Sequence, residues 1–212
     1  AKRHEFDEFC ACFMKFFENS PNRPVFSPEQ GGGGYVFAKC AFNTVDIIVC
    51  TFGSLQGPVE CAVRTSQFII EQKPTALLMT GVAGGRRLGD VIVALSAFAP
   101  ESGRREWSGR SYEDRNRLEN GSYQTTTADG ENARQIAEQA VQAAKQKAQL
   151  PGGPLHGAEI RIGSFASYNQ VRDDVELVLR DLSSSPTVGL EMEAFAFFHA
   201  AALLKCQALA VV

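Results

Sequence analysis

The sequence predicts an α/β domain of three layers, with helices on both faces of a mixed central β-sheet. Short β-branched and aromatic runs alternate with segments of helical period, and glycine and proline clusters punctuate the alternation. The composition agrees: 44% of the 212 residues are hydrophobic and 21% are charged, as expected of one globular domain with a sizeable core. A single domain over 1–212 is the expectation.

In chain order, Phe6, Phe9, Cys10, Phe13, Phe16 and Phe17 mark one stripe of an amphipathic helix over 5–18. Pro21, Pro24 and Pro28, followed by Gly31 to Gly34, predict a flexible connection that no helix or central strand crosses. Strands are expected at 35–42 and 45–51, joined at Asn43-Thr44 as a hairpin, and a helix at 57–72. A short strand at 76–80 runs into Gly81-Val82-Ala83-Gly84-Gly85, and a second strand covers 90–98. Residues 101–130 lose periodicity and become polar and arginine-rich, which reads as a long functional or mobile loop. Asp129 is placed to cap an alanine-faced helix that Pro151-Gly152-Gly153-Pro154 stops. A strand at 158–165, helices at about 170–182 and 192–204, and a strand at 207–212 complete the alternation.

Charge excludes several function classes. The formal net charge is −3, so nothing draws the chain toward nucleic acid or anionic lipid. The longest apolar run, Ala194 to Leu204, is interrupted by His199 and is too short to span a bilayer. The amino terminus has no signal-like apolar region, so a cytoplasmic protein is expected. The six cysteines lie in apolar contexts, and Cys10-Ala11-Cys12 is too tight for the usual zinc spacing; buried reduced thiols are expected, with no metal site and no cofactor.

Two segments carry candidate chemistry. The glycine turn after Thr80 exposes backbone N–H groups at a strand end, where α/β folds gather ligands, although a close chain crossing accounts for the same glycines. In Gly189-Leu190-Glu191-Met192-Glu193-Ala194, two carboxylates stand between an apolar strand and an apolar helix. Buried acids need partners, so a ligand hydroxyl is one reading and an acid complementing the helix N-terminus is the other.

Taken in order, Lys73-Pro74-Thr75-Ala76-Leu77-Leu78-Met79-Thr80 with the glycine turn, Leu88-Gly89-Asp90-Val91-Ile92-Val93, and Gly189 to Ala194 resemble the purine nucleoside phosphorylase and methylthioadenosine/S-adenosylhomocysteine nucleosidase superfamily over nearly the whole chain. The resemblance implies an N-ribosyl hydrolase for a purine nucleoside or nucleotide. It implies that Glu193 grips the ribose 2′ and 3′ hydroxyls while Met192 packs on the sugar, core filling being the other reading of that methionine. An anion there opposes the positive, oxocarbenium-like charge that builds on the sugar as the glycosidic bond breaks. Glu5 matches the glutamate that orients the attacking water, with a solvated first-turn acid as the alternative. Val82, Ala83, Gly84 and Glu191 join the implied substrate contacts. In Ser164 to Val171, which resembles the segment wrapping the purine, Phe165, Tyr168 and Val171 are candidate walls for the ring, Ser167 and Asn169 are further implied contacts, and Phe165 is equally readable as a core residue at a strand end. Tyr168-Asn169 stands where Gly-Asp is usual and Val171 where an aromatic ring is frequent.

The family continues past the strand matching Cys206 to Val212 into a Ser-Asp pair whose aspartate protonates the departing purine, and its first strand precedes residue 1. A portion of a longer protein is therefore expected, and a polypeptide ending at Val212 is expected to lose on the order of 10² to 10⁴ in rate. Gly89 stands where related phosphorylases carry an arginine, and Val82 replaces a serine that would bind an oxyanion; both favour water over phosphate as nucleophile. Arg86 and Arg87 are candidate phosphate-binding residues. With Arg104, Arg105, Arg110, Arg115 and Arg117 they would suit a nucleotide's phosphates, whereas a solvated loop whose arginines pair with Glu101, Glu106, Glu113, Asp114 and Glu119 is the simpler reading. Resemblance also implies a dimer or higher assembly, and extends to effector domains of nucleotide-depleting immune proteins of the NACHT type. Two alternatives stay open, a phosphate-dependent phosphorylase and a non-catalytic nucleoside-sensing module.

Overall fold

The computed structural model describes residues 3–19, 24–30, 35–51, 57–85, 87–99, 104–107, 112–115, 122–124, 130–153, 155–168 and 187–211. The chain forms two compact units, 1–56 and 57–212.

In the first unit, helix α1 (Arg3–Phe16) packs on a three-stranded antiparallel sheet of β1 (Ser27–Gln30), β2 (Val36–Phe42) and β3 (Val45–Thr51). The phenylalanine stripe explains the packing. Phe6 and Cys10 are buried against Ala38, with Phe26, Val36 and Val49 around them. Phe13 lies 5.6 Å from Phe26, and Phe17 lies 4.4 Å from Phe42, measured between ring centroids. Phe16, on the stripe's outer margin, is 71% exposed. The β2–β3 hairpin turns at Asn43, whose φ of 54° is the left-handed conformation that asparagine tolerates. Part of the expected connection is a strand. Residues 27–30 pair with β2 alone among the described residues, so Pro28 sits on an edge strand, where one side of the backbone need not join a ladder.

The second unit holds helix α2 (Pro58–Gln72) and strands β4 (Ala76–Thr80), β5 (Val91–Phe98), β6 (Arg104–Trp107), β7 (Tyr112–Arg115) and β8 (Ser122–Gln124). Helix α3 (Gly130–Ala148), β9 (Ile160–Ser167), β10 (Thr187–Glu191), α4 (Ala194–Leu203) and β11 (Gln207–Val211) follow. The main sheet runs β10-β9-β5-β11-β4. It is mixed, as predicted: β10, β9 and β5 are parallel, β11 and β4 are parallel, and the two sets meet antiparallel at Ala210–Ala94. Alternation along the strands separates two cores. Ile92, Ala94, Ala208 and Ala210 pack with α2 and α4, while Val93, Ile160, Leu209 and Val211 pack with Ala137 and Val141 of α3. Helices therefore cover both faces.

Residues 101–130 depart from the expected loop. β6 and β7 form a hairpin with Arg105 opposite Asp114, and β8 adds to the end of β5. Strands of three or four residues are too short for alternation to show in sequence. β8 also pairs beyond the irregularity at Ala94/Ser96, where β5 has already left β11. The helix expected at about 170–182 lies outside the described residues, as do Asp129, Arg110 and Arg117.

Gly189, on β10, sits where two core side chains leave no room. A Cβ there would stand 2.7 Å from Cε1 of Phe165 and 2.8 Å from Cδ1 of Ile92. Phe165 is wholly buried, so its ring has nowhere to retreat. Gly189→Ala is expected to destabilise the fold by about 1–3 kcal/mol, read as a lower urea midpoint at unchanged slope. An unchanged midpoint would show that this contact relaxes freely.

Candidate active site

The segment predicted to carry chemistry is built around Glu191, the last residue of β10. Its side chain is buried, 8% exposed, and turns back toward the first residues of α4. One carboxylate oxygen accepts a hydrogen bond from the Ser167 hydroxyl at the end of β9. The other accepts the backbone N–H groups of Glu193 and Ala194. Ser167 in turn accepts the N–H of Phe195 at 2.8 Å. A helix start leaves its first N–H groups without partners, and here Glu191 and Ser167 supply them from outside the helix. Glu191, expected among the substrate contacts, thus has both oxygens occupied by protein donors. The polar partner its burial demanded is the start of α4.

Burial pushes the Glu191 carboxyl from its usual 4.5 up to about 7, against the three hydrogen bonds that favour its charged form and with added repulsion from Glu193.

Glu193 occupies the cap position of α4 and is half-buried. Its Oε1 accepts the N–H of Gly57 at 2.9 Å, the residue that opens α2. Its carbonyl accepts the N–H of Phe197 at 2.9 Å and the thiol of Cys61 at 3.4 Å. Among the described residues, Oε2 accepts no hydrogen bond. Cys61 is itself a buried thiol whose pKa burial pushes up to about 12, so it packs and donates rather than reacts.

The glycine turn returns from β4 to the same place. Gly84 and Leu190 exchange two backbone hydrogen bonds, each 2.8 Å, which ties the turn to β10 one residue before Glu191. The Gly84 N–H is therefore spent on the protein. Val82 is 87% exposed and Ala83 is half-buried.

Of the residues implied by resemblance, the structure brings Gly84, Ser167, Glu191, Met192 and Glu193 to the junction of the turn, β9, β10 and α4. Met192 is half-buried. Phe165 is corrected from base wall to core, since it is wholly buried among Ile92, Ala97 and the residues of α4. Ser167 serves as a bridge between Glu191 and α4. Tyr168, expected as another base wall, is likewise buried, beside Leu190 and Phe98, and its N–H donates to the Glu191 carbonyl at 2.8 Å. Arg87 is exposed. Arg86, Asn169 and Val171 lie outside the described residues. Glu5 falls in the first turn of α1, and its side chain is likewise outside them.

The profile of the phosphorylase superfamily matches residues 3–212. The chain belongs to the phosphorylase superfamily. Its fold is shared with solved members. Helicobacter pylori 5′-methylthioadenosine/S-adenosylhomocysteine nucleosidase, in complex with a pyrrolidine inhibitor, superposes with a TM-score of 0.68 at 19% identity, covering 100% of this chain and 80% of that one. The corresponding nucleosidase of Neisseria meningitidis, complexed with methylthio-immucillin-A, gives 0.67 at 16% identity, covering 99% and 80%. Futalosine hydrolase of Helicobacter pylori gives 0.63 at 19% identity, covering 95% and 80%. No curated protein matches. Among the described residues of this superfamily member, no helix is long and apolar enough to cross a membrane.

The Glu191 proton has a thermodynamic consequence. Its folded pKa of about 7 exceeds the ordinary 4.5, so between those values the unfolded chain has released a proton that the folded chain retains. The contribution of this group to stability is intact below about 4.5 and is lost as pH rises through about 7, by on the order of 3 kcal/mol. Comparing Glu191→Gln with the parent protein by urea denaturation at pH 4.5 and 7.5, the stability difference is expected to shift in favour of the variant by about that amount. A difference that stays constant would place the titration elsewhere.

Proposed function

We propose that this chain is a purine nucleosidase, hydrolysing the N-glycosidic bond of a purine nucleoside or nucleotide through an oxocarbenium-like transition state. The observation that carries the proposal is the Glu193 carboxylate: one oxygen is held by Gly57, and the other has no partner among the described residues, at the head of a fixed helix. Family membership supports it, as do the proteins with the same fold, which are named as 5′-methylthioadenosine/S-adenosylhomocysteine nucleosidases and a futalosine hydrolase.

In this proposal Glu193 accepts hydrogen bonds from the ribose 2′ and 3′ hydroxyls. As the C1′–N9 bond breaks, its electron pair leaves with the purine and positive charge spreads over C1′ and the ring oxygen. A fixed anion beside the sugar stabilises that charge without having to reorganise. Water then adds its oxygen to C1′, and the proton it loses balances the one that the departing purine takes up on nitrogen. Glu5 is assigned to orient that water on the family resemblance alone. Met192 lines the sugar's apolar face. Gly89 before Asp90, Val82 in the turn and the engaged N–H of Gly84 favour water over phosphate, since each removes a donor that an incoming phosphate would use. A cytoplasmic setting and an effector role within a larger immune protein belong to the same proposal.

The test is purine release by the intact natural protein from adenosine, methylthioadenosine and ATP, with and without inorganic phosphate. Free ribose, or its 5′-substituted form, is the expected sugar product, at a rate indifferent to phosphate. Glu193→Ala is expected to lower kcat/KM by about 10² to 10⁴. Full activity in that variant would contradict the assignment, and ribose 1-phosphate as product would transfer the chain to the phosphorylases. Faster cleavage of ATP would support Arg86 and Arg87 as phosphate contacts, and equal rates on all three substrates would remove that role.

A further inference from the structure

We propose that Gly57 is a positioning residue for Glu193, its backbone N–H selecting which carboxylate oxygen is left to meet the sugar. The inference rests on the nucleosidase reading for its catalytic meaning, and on geometry for the contact itself. The two oxygens of a carboxylate are equivalent until one is held. Here Oε1 is held at 2.9 Å by the Gly57 N–H.

That donor points at Glu193 because of an uncommon backbone. Gly57 has φ 105° and ψ 166°, a region that essentially only glycine occupies. Pro58 follows at the start of α2 and has no N–H of its own. An L-residue before proline is driven to negative φ and extended ψ, which would rotate the donor away. A Cβ at position 57 would meet nothing within 4 Å, so substitution there acts on backbone conformation and not through a clash.

The rest of the first turn holds Glu193 from a second side. The Gly57 carbonyl accepts the first helical bond, from Cys61 N–H at 3.1 Å, and the Cys61 thiol donates to the Glu193 carbonyl. The Glu193 N–H is engaged by Glu191. Backbone and side chain are thus both fixed, which is the condition for a carboxylate to meet the transition state without searching for its orientation.

The experiment is a double-mutant cycle in the intact protein with Gly57→Ala, Glu193→Ala and the double variant. Gly57→Ala is expected to lower kcat/KM about tenfold to hundredfold, mostly through kcat, and to change it by less than about threefold when Glu193 is already alanine. Equal losses in both backgrounds, or no loss in the single variant, would overturn the proposal. Should Gly57→Ala not fold, or Glu193→Ala retain no measurable rate, the Gly57 amide resonance of ¹⁵N-labelled protein decides. Its proton is expected to shift upfield and exchange faster in Glu193→Ala, and an unchanged resonance would overturn the contact. A parent protein that cleaves no nucleoside would defeat the nucleosidase reading, while the amide measurement still judges the contact between Gly57 and Glu193.

Discussion

The burial of one carboxylate organises this site. Glu191 is enclosed at the end of β10, and an enclosed charge is tolerable only if donors surround it. The donors it finds are the Ser167 hydroxyl and two N–H groups at the start of α4, so a single side chain joins the ends of two parallel strands to the beginning of the helix beside them. Removing it would leave the Ser167 hydroxyl proton and the N–H groups of Glu193 and Ala194 without this acceptor, at a cost of about 1–3 kcal/mol for each that stays shielded from water. The same contacts fix the backbone on which Met192 and Glu193 are carried.

Three helix and turn geometries converge on that backbone. The start of α4 is tied down by Glu191, the start of α2 reaches across to Glu193 through Gly57 and Cys61, and the glycine turn is stitched to Leu190. Gly189 allows the close approach beneath, with Phe165 and Ile92 filling the space its side chain would need. The two acids flanking Met192 therefore have different work. Glu191 is consumed by the fold, and Glu193 is half-held by it, with one oxygen that no described residue engages. Their spacing in sequence is two residues, yet one faces the core and the other the edge of the helix start.

Much of this architecture was legible in the residues. The stripe from Phe6 to Phe17, the β-branched runs flanking Asn43-Thr44 and the alanine face of α3 each declare an element by local period, and each is found within a few residues of its expected place. β1 was hidden by Pro28, whose meaning depends on whether a strand lies at an edge. β6, β7 and β8 were hidden by their brevity. The motif Gly189 to Ala194 was legible as a place that needs polar partners, because two acids between apolar runs are costly without them.

The sequence by itself determined the longer helices and strands, their order and the family, since periodicity, turn residues and ordered motifs are properties of neighbours along the chain. Only the tertiary structure decided what each polar group meets. Whether Glu191 sought a ligand or a helix, whether Phe165 faced a base or the core, and which N–H would hold Glu193 all depended on contacts between residues up to 136 positions apart. Hydrogen bonds and van der Waals contacts act over a few ångströms in space, and no local pattern records which distant segment will come within that reach.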